Sequence, residues 1–69
     1  MNNLFSKRLK DLRTENNLSR VKLAEKLQVS VRLISYWENE QRECDFDMLI
    51  KISDIFDTSI DYLLGRKDY

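Results

Sequence analysis

Histidine and proline are absent from this sequence, and cysteine and glycine occur once each, as Cys44 and Gly65. A single cysteine excludes a disulfide within the chain, and the absence of histidine removes the usual ligand sets of zinc and iron sites. With so little proline and glycine, few residues favour long irregular segments, so the composition predicts helices joined by short turns. We therefore expect an all-α protein with no metal and no small-molecule cofactor.

Long hydrophobic runs are also missing. No stretch approaches the roughly 18 consecutive apolar residues of a membrane span, and residues 1–7 (MNNLFSK) lack the apolar core of a signal peptide. We expect no membrane association and, given the lone thiol, a cytoplasmic protein. The 69 residues suffice for one domain, so we assign residues 1–69 to a single unit.

The net charge is zero, but the charge is unevenly distributed along the chain. Residues 1–42 contain nine basic and five acidic residues, whereas residues 43–69 contain three basic and seven acidic residues. The two parts therefore carry net charges of +4 and −4. This division is compatible with ordinary solvated helix faces, and equally with a basic half that approaches nucleic acid.

Hydrophobic residues recur at helical spacing, as in the stripe Phe5, Leu9 and Leu12. Ser19, Ser30, Asp45 and Ser59 each precede such a stripe and are typical helix N-caps. The predicted helices lie near 4–16, 20–27, 31–39, 46–56 and 60–64, followed by a frayed tail at 66–69.

The second and third predicted helices are separated by only a few residues, so they must cross steeply rather than lie antiparallel. A steep crossing needs apolar contacts on both helices and a small residue where the backbones approach. Ala24 supplies the small residue, and the apolar set is Leu23, Leu27, Val29, Ile34 and Trp37. The segment 20–39 therefore predicts a helix-turn-helix, although other pairs of amphipathic helices share some of this pattern.

Four motifs in register carry a family resemblance: RLKDLR (8–13), LSRVKLAEKLQVS (18–30), ISYWEN (34–39) and SIDYLLG (59–65). From Phe5 to Gly65 the chain resembles the phage-repressor/Cro-type helix-turn-helix proteins, called the XRE family. The resemblance implies a compact five-helix domain of the lambda repressor-like type. It also implies a homodimer that binds double-stranded DNA at a palindromic operator and regulates transcription, which we expect to be repression.

The resemblance also implies roles for individual residues. Val31, Arg32 and Tyr36 match positions that touch base edges, and Ser35 shares their outward face. Ser19, Arg20 and Asn39 match phosphate-holding positions, and Arg42 adds a further positive charge beside them. Arg13 and Glu38 match a structural ion pair.

Arg32 is the main candidate for sequence discrimination, because a guanidinium can donate two hydrogen bonds to guanine O6 and N7. The alternatives for Arg32 are a phosphate contact or a solvated side chain. Val31 could contact a thymine methyl or pack on its own domain.

Some positions depart from the family pattern. Gln28 and Glu40 stand where glycine is frequent, Cys44 replaces a frequent proline, and Arg20 replaces the usual glutamine. We expect the Glu40 carboxylate to repel nearby phosphates.

A dimer contact is expected from the acidic C-terminal part of the chain. The candidates are Phe46 and Ile50, four residues apart and off the main apolar stripe, together with Tyr62. The alternative for Phe46 and Ile50 is partial burial at the rim of the domain.

An enzyme is the weakest alternative function, because there is no histidine and the only thiol has no evident base. Asp54, Asp57 and Asp61 are spaced like a solvated helix end. The stronger alternative is a protein-interaction module of the same fold, such as an antitoxin or anti-repressor-like regulator. Zero net charge and the acids Glu40 and Glu43 favour it.

Overall fold

The computed structural model describes residues 3–68, which form five α-helices and no strand. The helices are α1 Phe5–Glu15, α2 Arg20–Leu27, α3 Val31–Glu38, α4 Phe46–Ile55 and α5 Ile60–Leu64. The all-α, five-helix prediction is confirmed, and no helix end differs from its predicted position by more than one residue. Among residues 3–68, no helix has the length and apolar character needed to cross a membrane.

Polar side chains begin the helices. In four cases a side-chain oxygen accepts a hydrogen bond from the backbone N–H three residues later, over 2.8–3.1 Å. These caps are Ser19, Ser30, Asp45 and Ser59, as predicted. Helix α1 differs, because its N-cap Leu4 has no suitable side chain and Asn3 Oδ1 instead accepts from Phe5 N at 2.9 Å. Each helix start thus has a local partner for an otherwise free N–H.

Left-handed backbone conformations follow the helices. Gln28, the C-cap of α2, has φ 59°, and Glu40, two residues beyond α3, has φ 60°. Both stand where the family frequently has glycine, the residue that adopts this conformation without steric cost. Asn17 and Asp57 have φ values of 57° and 51°, and their short polar side chains tolerate this region.

A single apolar core unites the helices. Phe5 and Trp37 meet edge to face with ring centroids 6.4 Å apart, and the Ser6 hydroxyl donates to the carbonyl of Trp37. These contacts fix α1 across α3. The buried apolar residues are Phe5, Leu9, Leu12, Leu23, Ala24, Leu27, Ile34, Trp37, Leu49, Ile52 and Leu63.

The start of α1 lies against the end of α5. Leu4 N donates to Leu64 O at 3.4 Å, and a Cβ at Gly65 would come within 2.8 Å of Leu4 Cγ. Gly65 also has φ 81°, so both the close approach and the backbone conformation favour glycine there.

Arg8 fastens the C-terminal segment to α1. Its guanidinium carbon lies 4.1 Å from the centre of the Tyr62 ring, and Nη1 donates to the carbonyls of Tyr62 and Lys67 at 3.0 and 3.1 Å. The tail expected to fray at 66–69 is therefore hydrogen-bonded at least as far as Lys67, while Tyr69 lies outside the described residues.

Candidate nucleic-acid interface

Helices α2 and α3 form a pair whose inner face packs against the rest of the domain. Ala24 and Leu27 of α2 and Ile34 of α3 are buried, and Val29 in the connection packs partly against them. Lys51 Nζ from α4 donates to the last carbonyl of α2, Leu27 O, at 2.9 Å, and a cation is favourable at that helix end. The pair is thereby held at its turn as well as along its length.

The outward face of α3 carries the four residues predicted to read bases. Val31, with 40% of its surface accessible, and the exposed Arg32 occupy the first turn. Ser35 and Tyr36 follow four residues later and are half-buried. Side chains four apart lie on the same helix face, so the structure brings all four residues together. Val31 and Arg32 thus lie at the N-terminal end of α3, and Ser35 and Tyr36 lie about one turn further along the same face.

Two groups of polar residues flank this face. Ser19 begins α2, and its Oγ accepts from Lys22 N, which leaves the hydroxyl hydrogen able to donate elsewhere. Asn39 ends α3, and Arg42 lies in the following loop; both are exposed. The start of α2 and the end of α3 are neighbours in space. Arg20, which follows Ser19, has its Nε 3.1 Å from an oxygen of Glu38, which precedes Asn39.

Glu38 is the most deeply buried charge of the interface, with 0% of its side chain exposed. Arg13 Nε donates to its Oε2 at 2.6 Å and Arg13 Nη2 to its Oε1 at 3.2 Å. The remaining nitrogen of Arg13, Nη1, donates to Leu18 O at 2.9 Å. The pair joins α1 to the end of α3, and removing one partner of such a pair typically costs about 3–5 kcal/mol.

Arg20 also binds Glu38, a contact that sequence reasoning missed. The only available signal was the arginine at a position where the family usually has glutamine. The side chain assigned to a phosphate is thus held on the protein through Nε, while 40% of it remains exposed.

The loop after α3 is acidic. Glu40 and Glu43 are exposed, and Glu40 is also in the left-handed conformation. Cys44 is half-buried, and burial, followed by the negative charges of Asp45 and Glu43, raises the pKa of its thiol from 9.0 to about 12. The thiol is therefore protonated at neutral pH, which makes it a poor nucleophile.

The acidic residues near the end of α4 and the start of α5 lie at the surface or beside basic side chains. Within residues 3–68, no three side chains of histidine, cysteine or acidic type gather as metal ligands. Asp54 and Asp57 are exposed, and Asp61 lies within 3.7 Å of Arg66 and 4.0 Å of Lys67. Asp54 and Asp57 thus lie near the end of α4, whereas Asp61 lies in the first turn of α5 beside two basic side chains.

The three dimer candidates differ in exposure. Phe46 is 83% exposed and Ile50 is 49% exposed, on one face of α4, and Phe46 also lines a groove of about 210 Å³ beside Cys44 and Leu64. Tyr62 is instead half-buried beneath Arg8.

Comparisons with known proteins agree with this geometry. Residues 9–63 match the family model described as helix-turn-helix. The chain is 37% identical over 64 residues to the HTH-type transcriptional regulator ImmR of Bacillus subtilis (strain 168), covering 93% of this chain and 50% of that protein. It is 39% identical over 64 residues to the HTH-type transcriptional activator BcrR of Enterococcus faecalis, covering 93% of this chain and 31% of BcrR.

Among solved structures, the chain is similar to the P22 c2 repressor in complex with a synthetic operator. The TM-score is 0.84 at 27% sequence identity, and the match covers 91% of this chain and 96% of that one. In contrast, the chain spans only half or less of the length of ImmR and BcrR.

Proposed function

The chain belongs to the helix-turn-helix family of the phage-repressor (XRE) type, and from this we propose that it binds double-stranded DNA sequence-specifically and regulates transcription. The observation that carries the proposal is the outward face of α3, where Val31, Arg32, Ser35 and Tyr36 project from a firmly packed helix pair. The P22 c2 repressor, with which 91% of this chain aligns, was solved with a synthetic operator.

In the proposed complex, α3 lies in the major groove and its first turn meets the base edges. Arg32 donates two of its guanidinium N–H groups to guanine O6 and N7, Val31 contacts a thymine methyl, and Tyr36 donates its hydroxyl hydrogen to a base or phosphate. Ser35 lies between them and is small enough for close approach to the groove.

Phosphate contacts come from the two flanks of α3. Ser19 and Arg20 act from the start of α2, where the helix dipole also favours an anion, and Asn39 and Arg42 act from beyond α3. If Lys10 or Lys22 adds a third cation, each copy neutralises about three phosphates and a dimer about six, so log K falls with log salt at a slope near −5.

We propose a homodimer on a palindromic operator, because one small domain buries too little surface for operator-level affinity. The half-sites then lie about one DNA turn apart, at roughly 34–36 Å. Phe46 and Ile50 supply the apolar contact between copies, with Tyr62 at its rim.

We propose repression as the regulatory outcome, because a dimer covering an operator excludes other proteins sterically. The activator BcrR shares the domain, so a reporter assay in cells decides between the two outcomes. We also propose that the protein acts in the cytoplasm and has no catalytic role.

Selection of bound sequences from a random DNA pool tests the proposal. We expect inverted half-sites about one turn apart, with Arg32→Ala relaxing the preference at one base pair and Arg42→Ala weakening all sequences alike. Failure of the wild-type protein to bind any DNA at low salt would overturn the proposal and favour the protein-interaction module.

A further inference from the structure

Two arginines share the one carboxylate of Glu38. Oε2 accepts from Arg13 Nε, and Oε1 accepts from both Arg13 Nη2 and Arg20 Nε. The cluster therefore joins α1, α2 and α3, and it carries one positive charge more than its carboxylate neutralises.

The two arginines differ in how many of their guanidinium nitrogens donate hydrogen bonds within the protein. All three nitrogens of the Arg13 guanidinium donate hydrogen bonds, and only 11% of its side chain is exposed. Arg20 donates only through Nε among residues 3–68, and 40% of its side chain is exposed. The surplus charge of the cluster thus lies on Arg20, whose two Nη groups have no hydrogen-bond partner among residues 3–68.

We propose that Glu38 is a positioning residue for DNA binding, which holds Arg20 by Nε so that both Nη groups face a phosphate. This inference rests on the proposed function. Arg20 is the first residue of α2, beside the free N–H groups of that helix start, where an anion is favoured. A side chain fixed before binding loses less conformational entropy when the phosphate arrives.

The planar fork of arginine is essential to this arrangement. One edge of the guanidinium can bind Glu38 while another binds a phosphate oxygen. Lysine carries the same charge on a single ammonium and cannot offer two such edges, so it must divide its donors between Glu38 and the phosphate. A charge-conserving Arg20→Lys change should therefore weaken DNA binding, although simple electrostatics predicts no change.

The test combines DNA binding with NMR of the free protein. Affinity for a short random-sequence duplex is measured against salt for wild type, R20K, R20Q and E38Q. We expect R20K to bind about tenfold more weakly, and R20Q to lower the salt slope by about one for each bound copy. R66K is the matched control at an exposed arginine outside the interface, and it should bind as wild type does.

In the free protein, the Nε–H signal of Arg20 should be protected from exchange and should lose that protection in E38Q. Should E38Q fail to fold, R20K alone decides the matter. Wild-type affinity in R20K, or an unprotected Arg20 signal in the wild type, overturns the role of Glu38 and leaves the proposed function intact. If the wild type binds no duplex at low salt, the proposed function itself fails and this inference fails with it.

Discussion

At the scale of single residues, Glu40 combines an unfavourable backbone conformation with an unfavourably placed negative charge. Its backbone lies in the left-handed region with φ 60°, where a Cβ costs about 1–2 kcal/mol. Its exposed carboxylate follows Asn39 directly, beside the proposed phosphate contacts. The family's frequent glycine avoids both features, so we expect Glu40 to lower both the stability of the domain and, in the proposed complex, its affinity for DNA.

We predict that Glu40→Gly raises the free energy of unfolding by about 1 kcal/mol, since glycine relieves the strain but adds freedom to the unfolded chain. Urea denaturation measures the change. Glu43→Gly is the matched control, because Glu43 is not among the residues with positive φ. This variant should show no increase in the free energy of unfolding. Equal responses from the two variants would contradict the backbone explanation.

Cys44 gives a second prediction at this scale. Because burial raises the pKa of its thiol to about 12, the thiolate fraction near pH 8 is about a thousandfold below that of an ordinary thiol. Alkylation by iodoacetamide should be slowed accordingly in the folded protein and restored in urea. Comparable rates in the two conditions would show that Cys44 is not shielded.

At the scale of elements, Ala24 of α2 is buried in the core, and we expect its small side chain to allow the close approach of α2 and α3. The next residue, Glu25, is exposed on the same helix. The same substitution can be made at both positions. At Ala24 it changes both the packing and the helix propensity of α2, whereas at Glu25 it changes only the helix propensity.

We predict that Ala24→Leu destabilises the domain by about 1–3 kcal/mol, because the larger side chain must push the helices apart. The loss of binding free energy for DNA should exceed the loss of unfolding free energy, because the angle of α3 changes as well. Glu25→Leu is the control and should alter thermal unfolding little. An Ala24→Leu protein with wild-type melting and binding would show that the crossing does not depend on a small residue.

The helices are predictable from the sequence because their determinants are local. Ser30 caps a helix that begins at the next residue, and Val29 lies one residue before the cap. The missed contacts join residues far apart in the chain. Arg8 and Tyr62 are separated by 54 positions, and Arg20 and Glu38 by 18, so each pairing exists only after the helices have packed. An arginine alone does not reveal which carbonyl, ring or carboxylate it will meet.

At the scale of the whole molecule, the basic and acidic parts of the chain have different proposed roles, in DNA binding and in self-association. The proposed DNA contacts lie in residues 19–42, whereas exposed acids surround the apolar pair Phe46 and Ile50: they are Glu43, Asp45, Asp47 and Asp54. Two copies meeting at this face would bring like charges together, and salt screens that repulsion. DNA binding has the opposite dependence, because salt opposes the release of counterions.

We predict that raising NaCl from about 0.05 M to about 0.5 M strengthens self-association while it weakens DNA binding. Analytical ultracentrifugation and fluorescence anisotropy measure the two effects. Phe46→Ser should abolish self-association at both salt concentrations, whereas Leu4→Ser, at another exposed apolar residue, should not. Self-association that weakens with salt would place the contact at a different surface.

The hydrogen bond from Leu4 to Leu64 has a consequence for the engineering of this fold. Because the first and last helices meet, a short linker could join Asn3 to the segment that follows α5, and new ends could be opened in an exposed turn. The left-handed turn at Asp57 is one such place, remote in sequence from the proposed DNA contacts. A circular permutant opened there would keep α2 and α3 continuous and would move any fused partner from the α1–α5 junction to the α4–α5 corner.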